Sequence, residues 1–423
     1  MRERVLIAIV AGFLLTSVSS AWAGETSNGP LVTVSGKDQI QKVTGAAEKV
    51  SATHLHRVLK HGTAPGDIRP QYITGQGYTP SQIRDAYGFN NLQADGTGQT
   101  VAIVVPYGSP TLIGDVAEFC TAYNLPPPAT FLNVFTPGGE PAGTDPGWAL
   151  ETSVDVEWVH ALAPGAIIDL VVAPTNLLSD LLYAVQYSAQ TLHAPVVSMS
   201  WGTTTEFAHE NHYDFVFNNT GTVFVAASGD AGSGTMYPAV SPRVVAVGGT
   251  TLYLQAGTGT PKFPEAPEVA WEGSGGGRSS IEAKPSYQAA FRIPGTTKRC
   301  IPDVAFAGDP YTGVLVYDSN YDPNTDGWLI VGGTSLSAQS WAAIVALGDQ
   351  LRAAAFLPPL TDGHKALYTL AGSRASYNVG GCYRDITWGY NGNFAAAKGY
   401  DLITGLGAPM VDILVPALAT ISQ

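Results

Sequence analysis

The segment Leu329–Gln350, LIVGGTSLSAQSWAAIVALGDQ, joins a short apolar stretch to a long apolar helix through a glycine-rich turn. Ser335 follows Gly332–Thr334, and we expect the helix to run from Leu336 to Ala355. A hydroxyl at a helix N-terminus lies at the positive end of the helix dipole, and glycines leave room for a substrate carbonyl. Ser335 is therefore either an ordinary helix cap or a nucleophile, and a nucleophile needs a base.

The segments around this helix follow an alternating pattern of strands and helices. Helical stretches such as Leu177–Gln190 separate short runs that are rich in β-branched residues. These runs are Thr100–Pro106, Ala166–Ala173, Pro195–Ser200, Thr222–Ala227 and Val244–Gly248. The pattern predicts an α/β fold, a parallel sheet with helices on both faces. Sites in such sheets gather at the carboxyl ends of the strands.

The composition is that of an acidic globular protein. The 423 residues are 45% hydrophobic and 13% charged, which is ample for a large core and argues against disorder. The formal net charge is −13. Nucleic acid is excluded as an expected partner, because phosphate binding needs a basic surface.

The N-terminus has the pattern of a secretory signal peptide. Arg2 and Arg4 precede the apolar run Leu6–Val18, and Ala21–Ala23 has the small-x-small form of a cleavage site. We expect residues 1–23 to be removed and the protein to be secreted, to the extracellular space or the periplasm. No later segment reaches membrane-spanning length, so no membrane association is expected after cleavage.

The rest of the chain divides into a leader and one domain. Residues 24–70 are polar and weakly patterned, and we interpret them as a leader or short pro-segment. Its histidines, His54, His56 and His61, lack a carboxylate or cysteine at ligand spacing, so a solvated segment is favoured over a metal site. Residues 71–423 keep one uniform pattern and are assigned to a single catalytic domain.

Three cysteines allow at most one disulfide within the chain, so at least one thiol is left over. They are Cys120, Cys300 and Cys382. The sequence leaves the pairing open.

A histidine base is poorly supported. The stretch HGTAPG at His61 begins like the HGTH motif of subtilisins but does not continue it, and it lies in the polar leader. The remaining histidines have no supporting motif. They are His160, His193, His209, His212 and His364.

Two carboxylates offer another base. Glu151 and Asp155 are four residues apart in WALETSVDVEWVHALAP, so they lie on the same face of a helix that ends at Ala163. If that face is buried, the pair should share a proton, with one pKa raised and the other lowered. The alternative is a solvated acidic edge. Glu157 lies roughly opposite Asp155 and is predicted to be on the surface.

A third acid follows the strand Thr222–Ala227. Asp230 comes at the carboxyl end of this apolar run, before a glycine-rich turn. The position suits a functional site, and the alternative is that Asp230 caps the turn.

Several motifs occur in a fixed order between Tyr78 and Pro409. They are YTPSQIRDAYG, LETSVDVEW, VVSMSWG, VAASGDAGSG, YPAVSPRVVAVGGT, GSGGGRSS, PDVAFAGDPYTGV, GGTSLSAQ and GYDLITGLGAP. Together they resemble the sedolisin (serine-carboxyl peptidase) family, relatives of the subtilisins that use a Ser-Glu-Asp triad. The resemblance implies a subtilisin-like fold.

The resemblance also implies roles. Ser335 would attack the scissile carbonyl, Glu151 would act as general base and then general acid, and Asp155 would orient Glu151. Asp230 would help to form the oxyanion hole, for which it must be protonated. A carboxylate base works in acid, where histidine is charged, so an optimum of about pH 3–5 is expected.

The same resemblance implies one bound Ca²⁺. Asp385 and Asp401 would supply carboxylates, and the backbone carbonyls of Ile386, Ala397 and Gly399 would complete an oxygen shell. Because the carboxylate ligands must be ionised, the affinity for Ca²⁺ should decrease as the pH decreases. The alternative is that these are turn residues that bind no ion.

The chain departs from the family pattern in two places. Only residues 24–70 separate the signal from the domain, where family members carry a large inhibitory prodomain. Gln339 occupies a position where the family favours proline, in the first turn of the helix, and we expect the change to be tolerated.

Met236 is placed near the S1 wall, which favours an apolar P1 residue.

The leading hypothesis is a secreted, monomeric endopeptidase that acts on proteins and peptides at acidic pH. One alternative from the same fold is a tripeptidyl-type exopeptidase. Another is a catalytically weak binding protein, which the short leader keeps open. A histidine-dependent subtilase would need a motif that the chain lacks.

Overall fold

The computed structural model describes residues 51–52, 59–60, 77–291, 296–321 and 326–422, the first two stretches as backbone only. Within these residues there are seven α-helices. They are α1 Pro80–Tyr87, α2 Leu112–Tyr123, α3 Pro146–Leu162, α4 Leu178–Gln190, α5 Thr334–Ala354, α6 Gly363–Ala371 and α7 Val411–Thr420. The predicted signal peptide and the histidines His54, His56 and His61 lie outside the described residues.

The strands of the same residues are numbered in chain order. They are β1 Ser51–Ala52, β2 Leu59–Lys60, β3 Thr100–Pro106, β4 Leu132–Phe135, β5 Ile167–Ala173, β6 Val196–Met199, β7 Trp201–Gly202, β8 Val223–Ala227, β9 Val244–Leu252, β10 Glu268–Ala270, β11 Gly277–Ala283, β12 Lys298–Ile301, β13 Val304–Ala307, β14 Val314–Tyr317, β15 Trp328–Val331, β16 Tyr383–Arg384 and β17 Ala408–Pro409.

The central sheet has the order β10-β9-β8-β6-β3-β5-β4, with β13 also paired to β9. All of its pairs are parallel except β9 with β10. Its strands read as continuous apolar runs because both faces are covered. Ile103 of β3 belongs to the core that contains α3 and α5, and Val104 belongs to the core that contains α4. The predicted α/β fold with helices on both faces is confirmed.

Helix α3 passes through the interior of the domain. Asp145 caps its N-terminus, accepting from the backbone N–H groups of Gly147 and Trp148, and Pro146 occupies the first helical position. Every residue of the helix from Trp148 to Leu162 is buried. Because α3 has no face in contact with solvent, the side chains on every side of the helix lie against other parts of the protein.

The surface placement predicted for Glu157 is therefore wrong. Its side chain is fully buried, and Oε2 accepts the backbone N–H of Tyr317 on β14 at 3.0 Å. Burial raises the pKa of Glu157. The helical wheel placed it correctly opposite Asp155, but that side of α3 faces β14 rather than water.

The start of α5 also differs from the prediction. The helix begins at Thr334 rather than Leu336, so Ser335 is its second residue and not a residue in front of it. Gly333 precedes it with φ 141°, a conformation that favours glycine. The side chain of Thr334 is held by Asp230.

The three cysteines are buried, and all three thiols are free.

No helix in the described ranges is both long enough and apolar enough to cross a lipid bilayer.

Candidate active site

The candidate site lies where the carboxyl ends of β6 and β8 meet the N-terminus of α5. Helix α3 packs against α5 at this point. The side chains of Ser335, Glu151 and Asp155 have no solvent exposure, and Asp230 is 5% exposed. The structure thus brings the four predicted catalytic residues into one buried region.

Glu151 and Asp155 form a coupled pair one turn apart on α3. Burial raises the pKa of Glu151 well above its usual value, and the negative charge of Asp155 raises it further. Burial also raises the pKa of Asp155. The expectation that one of the two values would fall is wrong, because the loss of water outweighs the hydrogen bonds that stabilise the ionised form of Asp155.

Ser335 and Glu151 are in direct interaction. The Ser335 hydroxyl stabilises the ionised form of Glu151 and so opposes the rise in its pKa. Within the described residues both carboxylate oxygens of Glu151 are buried, and neither is within the distance and angle of an ordinary hydrogen bond. The contact is therefore a close approach that a reacting substrate can tighten.

Asp155 is held from its other side by two residues that sequence reasoning did not assign to the site. Ser200 Oγ donates to Asp155 Oδ1 at 2.8 Å, and Gln339 Nε2 donates to Ser200 Oγ at 2.9 Å. Ser200 directly follows β6, just as Asp230 follows β8 closely. Its position at the carboxyl end of an apolar strand was the signal that could have identified it.

Asp230 is anchored to the residue before Ser335. The backbone N–H and the hydroxyl of Thr334 donate to Asp230 Oδ1 at 2.8 and 2.7 Å. Burial raises the pKa of Asp230 to about 7 in spite of these two hydrogen bonds. Oδ2 is buried and has no hydrogen-bond partner in the described part of the chain.

Glycines allow the backbone around Asp230 to pack closely. A Cβ on Gly275 would lie 2.1 Å from the carbonyl oxygen of Ser228, and a Cβ on Gly229 would lie 3.2 Å from the sulfur of Met236. Met236 therefore lies beside the loop that carries Asp230. Its predicted place in the S1 wall stays a prediction.

A cleft of about 460 Å³ opens next to Asp230. Aromatic and acidic side chains line it, among them Trp271, Glu272, Tyr311 and Tyr390. The cleft gives an extended ligand access to the neighbourhood of Asp230.

The predicted calcium ligands lie in two adjacent loops. The N–H of Gly399 donates to both carboxylate oxygens of Asp385, and Asp401 accepts from Ala397, Ile403 and Thr404. Burial raises the pKa of Asp401 to about 6. No group of three or more His, Cys, Asp or Glu side chains in the described residues could hold a metal ion. A cation here would depend on two carboxylates and on backbone carbonyls.

The carbonyl oxygens fit that requirement. Among the described residues, no hydrogen bond is donated to the carbonyls of Ile386, Ala397 or Gly399. Two carboxylates beside uncommitted carbonyls form the hard oxygen set that calcium prefers.

Two histidines have structural roles instead. His160 stacks on Phe131, and burial lowers its pKa to about 4. His364 lies 3.3 Å from Asp303 and 2.9 Å from the carbonyl oxygen of Val244.

Comparison with known proteins identifies the family of the chain. The model of the subtilase family matches residues 147–362. Kumamolisin from Bacillus sp. (strain MN-32) is 30% identical over 416 residues, which cover 90% of this chain and 70% of kumamolisin. Sedolisin from Pseudomonas sp. (strain 101) is 26% identical over 402 residues, which cover 85% of this chain and 64% of sedolisin.

Solved structures give the same result. Pseudomonas sedolisin in complex with pseudo-iodotyrostatin matches with a TM-score of 0.67 and 25% identity, covering 80% of this chain and 97% of that one. A lanthipeptide protease matches with a TM-score of 0.53 at 15% identity, which shows the fold alone. With the family model, the relatives and the structure in agreement, the chain belongs to the sedolisin family of subtilisin-related serine peptidases.

Proposed function

We propose that the protein is a secreted serine-carboxyl endopeptidase that cleaves proteins and peptides at acidic pH. The observation that carries the proposal is the coupling of Ser335 to the buried pair Glu151 and Asp155, with Asp230 beside the same helix N-terminus. No histidine is needed for this set to move a proton.

Ser335 Oγ attacks the scissile carbonyl carbon while its proton passes to Glu151. Asp155 shares a proton with Glu151 and so stabilises it in either state. The carbonyl oxygen becomes an oxyanion, which the protonated Oδ2 of Asp230 stabilises as a donor. Glu151 then gives the proton to the leaving amine, and water attacks the acyl-enzyme by the same route.

The pH range follows from the two acids. Asp230 can donate only while it is protonated, so activity is lost as the pH rises through about 7. Glu151 must carry a negative charge to accept the serine proton, so activity is also lost in strong acid. We place the optimum at acidic pH, between an acid limb set by the raised pKa of the Glu151–Asp155 pair and an alkaline limb near pH 7.

A tripeptidyl-type exopeptidase is the second candidate. Tripeptidyl-peptidase 1 from Canis lupus familiaris is 30% identical over 225 residues, which cover 47% of this chain and 37% of that enzyme. Such an enzyme needs a carboxylate that holds the substrate amine, and Glu272 lines the cleft beside Asp230. Internal cleavage of a protein that lacks a free N-terminal amine separates the two candidates.

The leader is proposed to act as a short pro-segment. Strand β1 pairs antiparallel with β7, with Ser51 opposite Gly202 and Ala52 opposite Trp201. Strand β7 directly follows Ser200, which donates to Asp155. A chain bound to this edge would compete with an extended peptide for the same backbone groups.

The loops around Asp385 and Asp401 are proposed to bind one Ca²⁺. The two carboxylates and the carbonyls of Ile386, Ala397 and Gly399 would hold the ion. Its positive charge would hold the two loops together in the folded state.

The proposed function is tested by digestion of a denatured, N-terminally acetylated protein across the acidic pH range with the wild type and with Ser335→Ala. We expect internal fragments from the wild type and none above background from the variant. Activity that survives the substitution would refute the nucleophile. Release of tripeptides from an unblocked substrate alone would favour the exopeptidase.

A further inference from the structure

Gln339 lies one helical turn after Ser335, and the two side chains leave the same face of α5. It is fully buried, so its amide loses water on both its oxygen and its nitrogen. One partner is established: Nε2 donates to Ser200 Oγ at 2.9 Å. The amide thus lies between the helix that carries the nucleophile and the residue that contacts Asp155.

The direction of the hydrogen bond between Gln339 and Ser200 follows from the hydrogen bond between Ser200 and Asp155. A serine hydroxyl has a single proton, and Ser200 gives it to Asp155 Oδ1 at 2.8 Å. Ser200 can therefore only accept from Gln339, and the amide must present its NH₂ group. Gln339, Ser200 and Asp155 form a relay in which every donor points toward the carboxyl pair.

The relay restricts where the shared proton can reside. Oδ1 of Asp155 already accepts from Ser200, so a proton on Asp155 is directed to Oδ2. That atom is buried and has no hydrogen-bond partner among the described residues. Ser200 and Gln339 both favour the ionised form of Asp155 and so oppose the effect of burial on its pKa.

Few other ionisable groups can act on the pair. Asp230 is the further acid that raises the pKa of Glu151. The strands that pack against α5 carry no ionisable side chain. These strands are β3, β6, β8, β9 and β13. Changes in the relay should therefore be visible directly in the titration of the pair.

A purely structural role accounts less well for an amide at this position. Gln339 Oε1 is buried without a hydrogen-bond partner in the described part of the protein, which costs free energy. Methionine has a similar length and volume and would fill the same space without that cost.

Given the proposed function, we propose that Gln339 is a positioning residue that acts through Ser200 to place the proton shared by Asp155 and Glu151. It thereby sets the pH range in which Glu151 can accept the proton of Ser335. In this scheme Gln339 contacts neither the substrate nor the hydroxyl oxygen of the nucleophile, Ser335.

Three variants test the role through the pH dependence of kcat. Gln339→Met removes the donor, so the pair loses its proton less readily and the acid limb of the profile should move up by about one pH unit, while the alkaline limb set by Asp230 stays in place. Gln339→Glu can donate only while it is protonated, and once ionised its negative charge disfavours ionisation of the pair, so its acid limb should also move up. Ser340→Ala is the control, because Ser340 is buried on the same helix and, among the described residues, its hydroxyl donates only to the carbonyl of Leu336 in its own turn.

The proposal is overturned if the Gln339→Met profile superimposes on that of the wild type, whatever happens to kcat itself. Ser200→Ala breaks the same relay from the other side and should give the same upward shift, so it serves if Gln339→Met does not fold. An unshifted Ser200→Ala profile also overturns the proposal. All profiles are taken for activity that Ser335→Ala abolishes, so failure of the relay is distinct from failure of the nucleophile.

Discussion

Thr334 donates twice to one oxygen of Asp230 and leaves the other oxygen of that carboxyl without a partner in the described residues. The arrangement fixes the carboxyl on the residue that precedes Ser335. It also reserves Oδ2 for a proton, because Oδ1 is already used as an acceptor. A neutral Asp230 can therefore serve as a donor without rearranging.

Replacement of Asp230 should separate its donor role from its charge. Asp230→Asn keeps a donor that does not titrate, so we expect measurable activity and an alkaline limb displaced above pH 7. Asp230→Ala has no donor and should lose about 10²–10³-fold in kcat at every pH. The measurement is kcat between pH 3 and 9. An Asn variant whose alkaline limb coincides with that of the wild type would remove Asp230 from the oxyanion role.

The leader strand gives a prediction for substrate binding. Proline cannot donate to a strand ladder, so the double variant Ser51→Pro/Ala52→Pro should release β7. We expect a several-fold lower apparent KM with an unchanged kcat, measured on the uncleaved chain. The matched control is Leu59→Pro/Lys60→Pro, which alters the leader where β2 pairs with β15. Equal KM values for both double variants would contradict the pro-segment proposal.

Calcium should stabilise the protein through the loops at Asp385 and Asp401. We expect added Ca²⁺ to raise Tm at pH 7 and EGTA to reverse the effect. Asp401→Asn should abolish the response, whereas Asp326→Asn, at an exposed carboxylate, should keep it. Without an ion Asp401 titrates at about pH 6, so protonation below that pH should weaken binding. A response that survives Asp401→Asn would place the ion elsewhere.

The buried ion pair of Arg299 and Asp303 should dominate local stability. Their closest contacts are 2.5 and 2.7 Å, and both side chains have no exposure. Burial alone would raise the pKa of Asp303, but the charge of Arg299 holds it well below its usual range. Arg299→Leu removes the main charged partner of Asp303, leaves His364 as the remaining one, and should cost about 3–5 kcal/mol in the free energy of unfolding.

Urea unfolding at pH 7 measures this loss, and the exposed Arg243 is the control, with Arg243→Leu expected to cost under about 1 kcal/mol. The pair also sets a pH dependence. Because the pKa of Asp303 is lower in the folded state than in the unfolded state, its contribution is present above about pH 4 and falls in stronger acid. A similar loss in both arginine variants would show that the pair contributes little.

The sequence predicted those parts of the fold that depend on apolar periodicity. The sequence predicts the observed bounds of strand β3, because its apolar run is buried on both faces and ends at Pro106. Glu151 and Asp155 were placed on one face because helical spacing is local. These features depend on neighbours in the chain, which a sequence displays directly.

The errors come from contacts between distant segments. Glu157 has the wheel position of a surface residue, but β14 lies 160 positions further on and covers it. Helix α5 begins at Thr334, before the predicted start at Leu336, because Thr334 donates hydrogen bonds to Asp230, which follows β8. Gln339 and Ser200 are 139 positions apart, so a local pattern can mark Ser200 as a residue at a strand end but cannot show its hydrogen bond with Gln339.

The pH profile of kcat on a blocked peptide, from pH 2 to 9, tests most directly whether paired carboxylates replace imidazole as the base. We predict a maximum below neutrality, between the acid limb set by the Glu151–Asp155 pair and a decline to background as Asp230 loses its proton near pH 7. A rate that rises through pH 6–7 and stays high above neutrality, as a base with the pKa of histidine would give, would contradict the account.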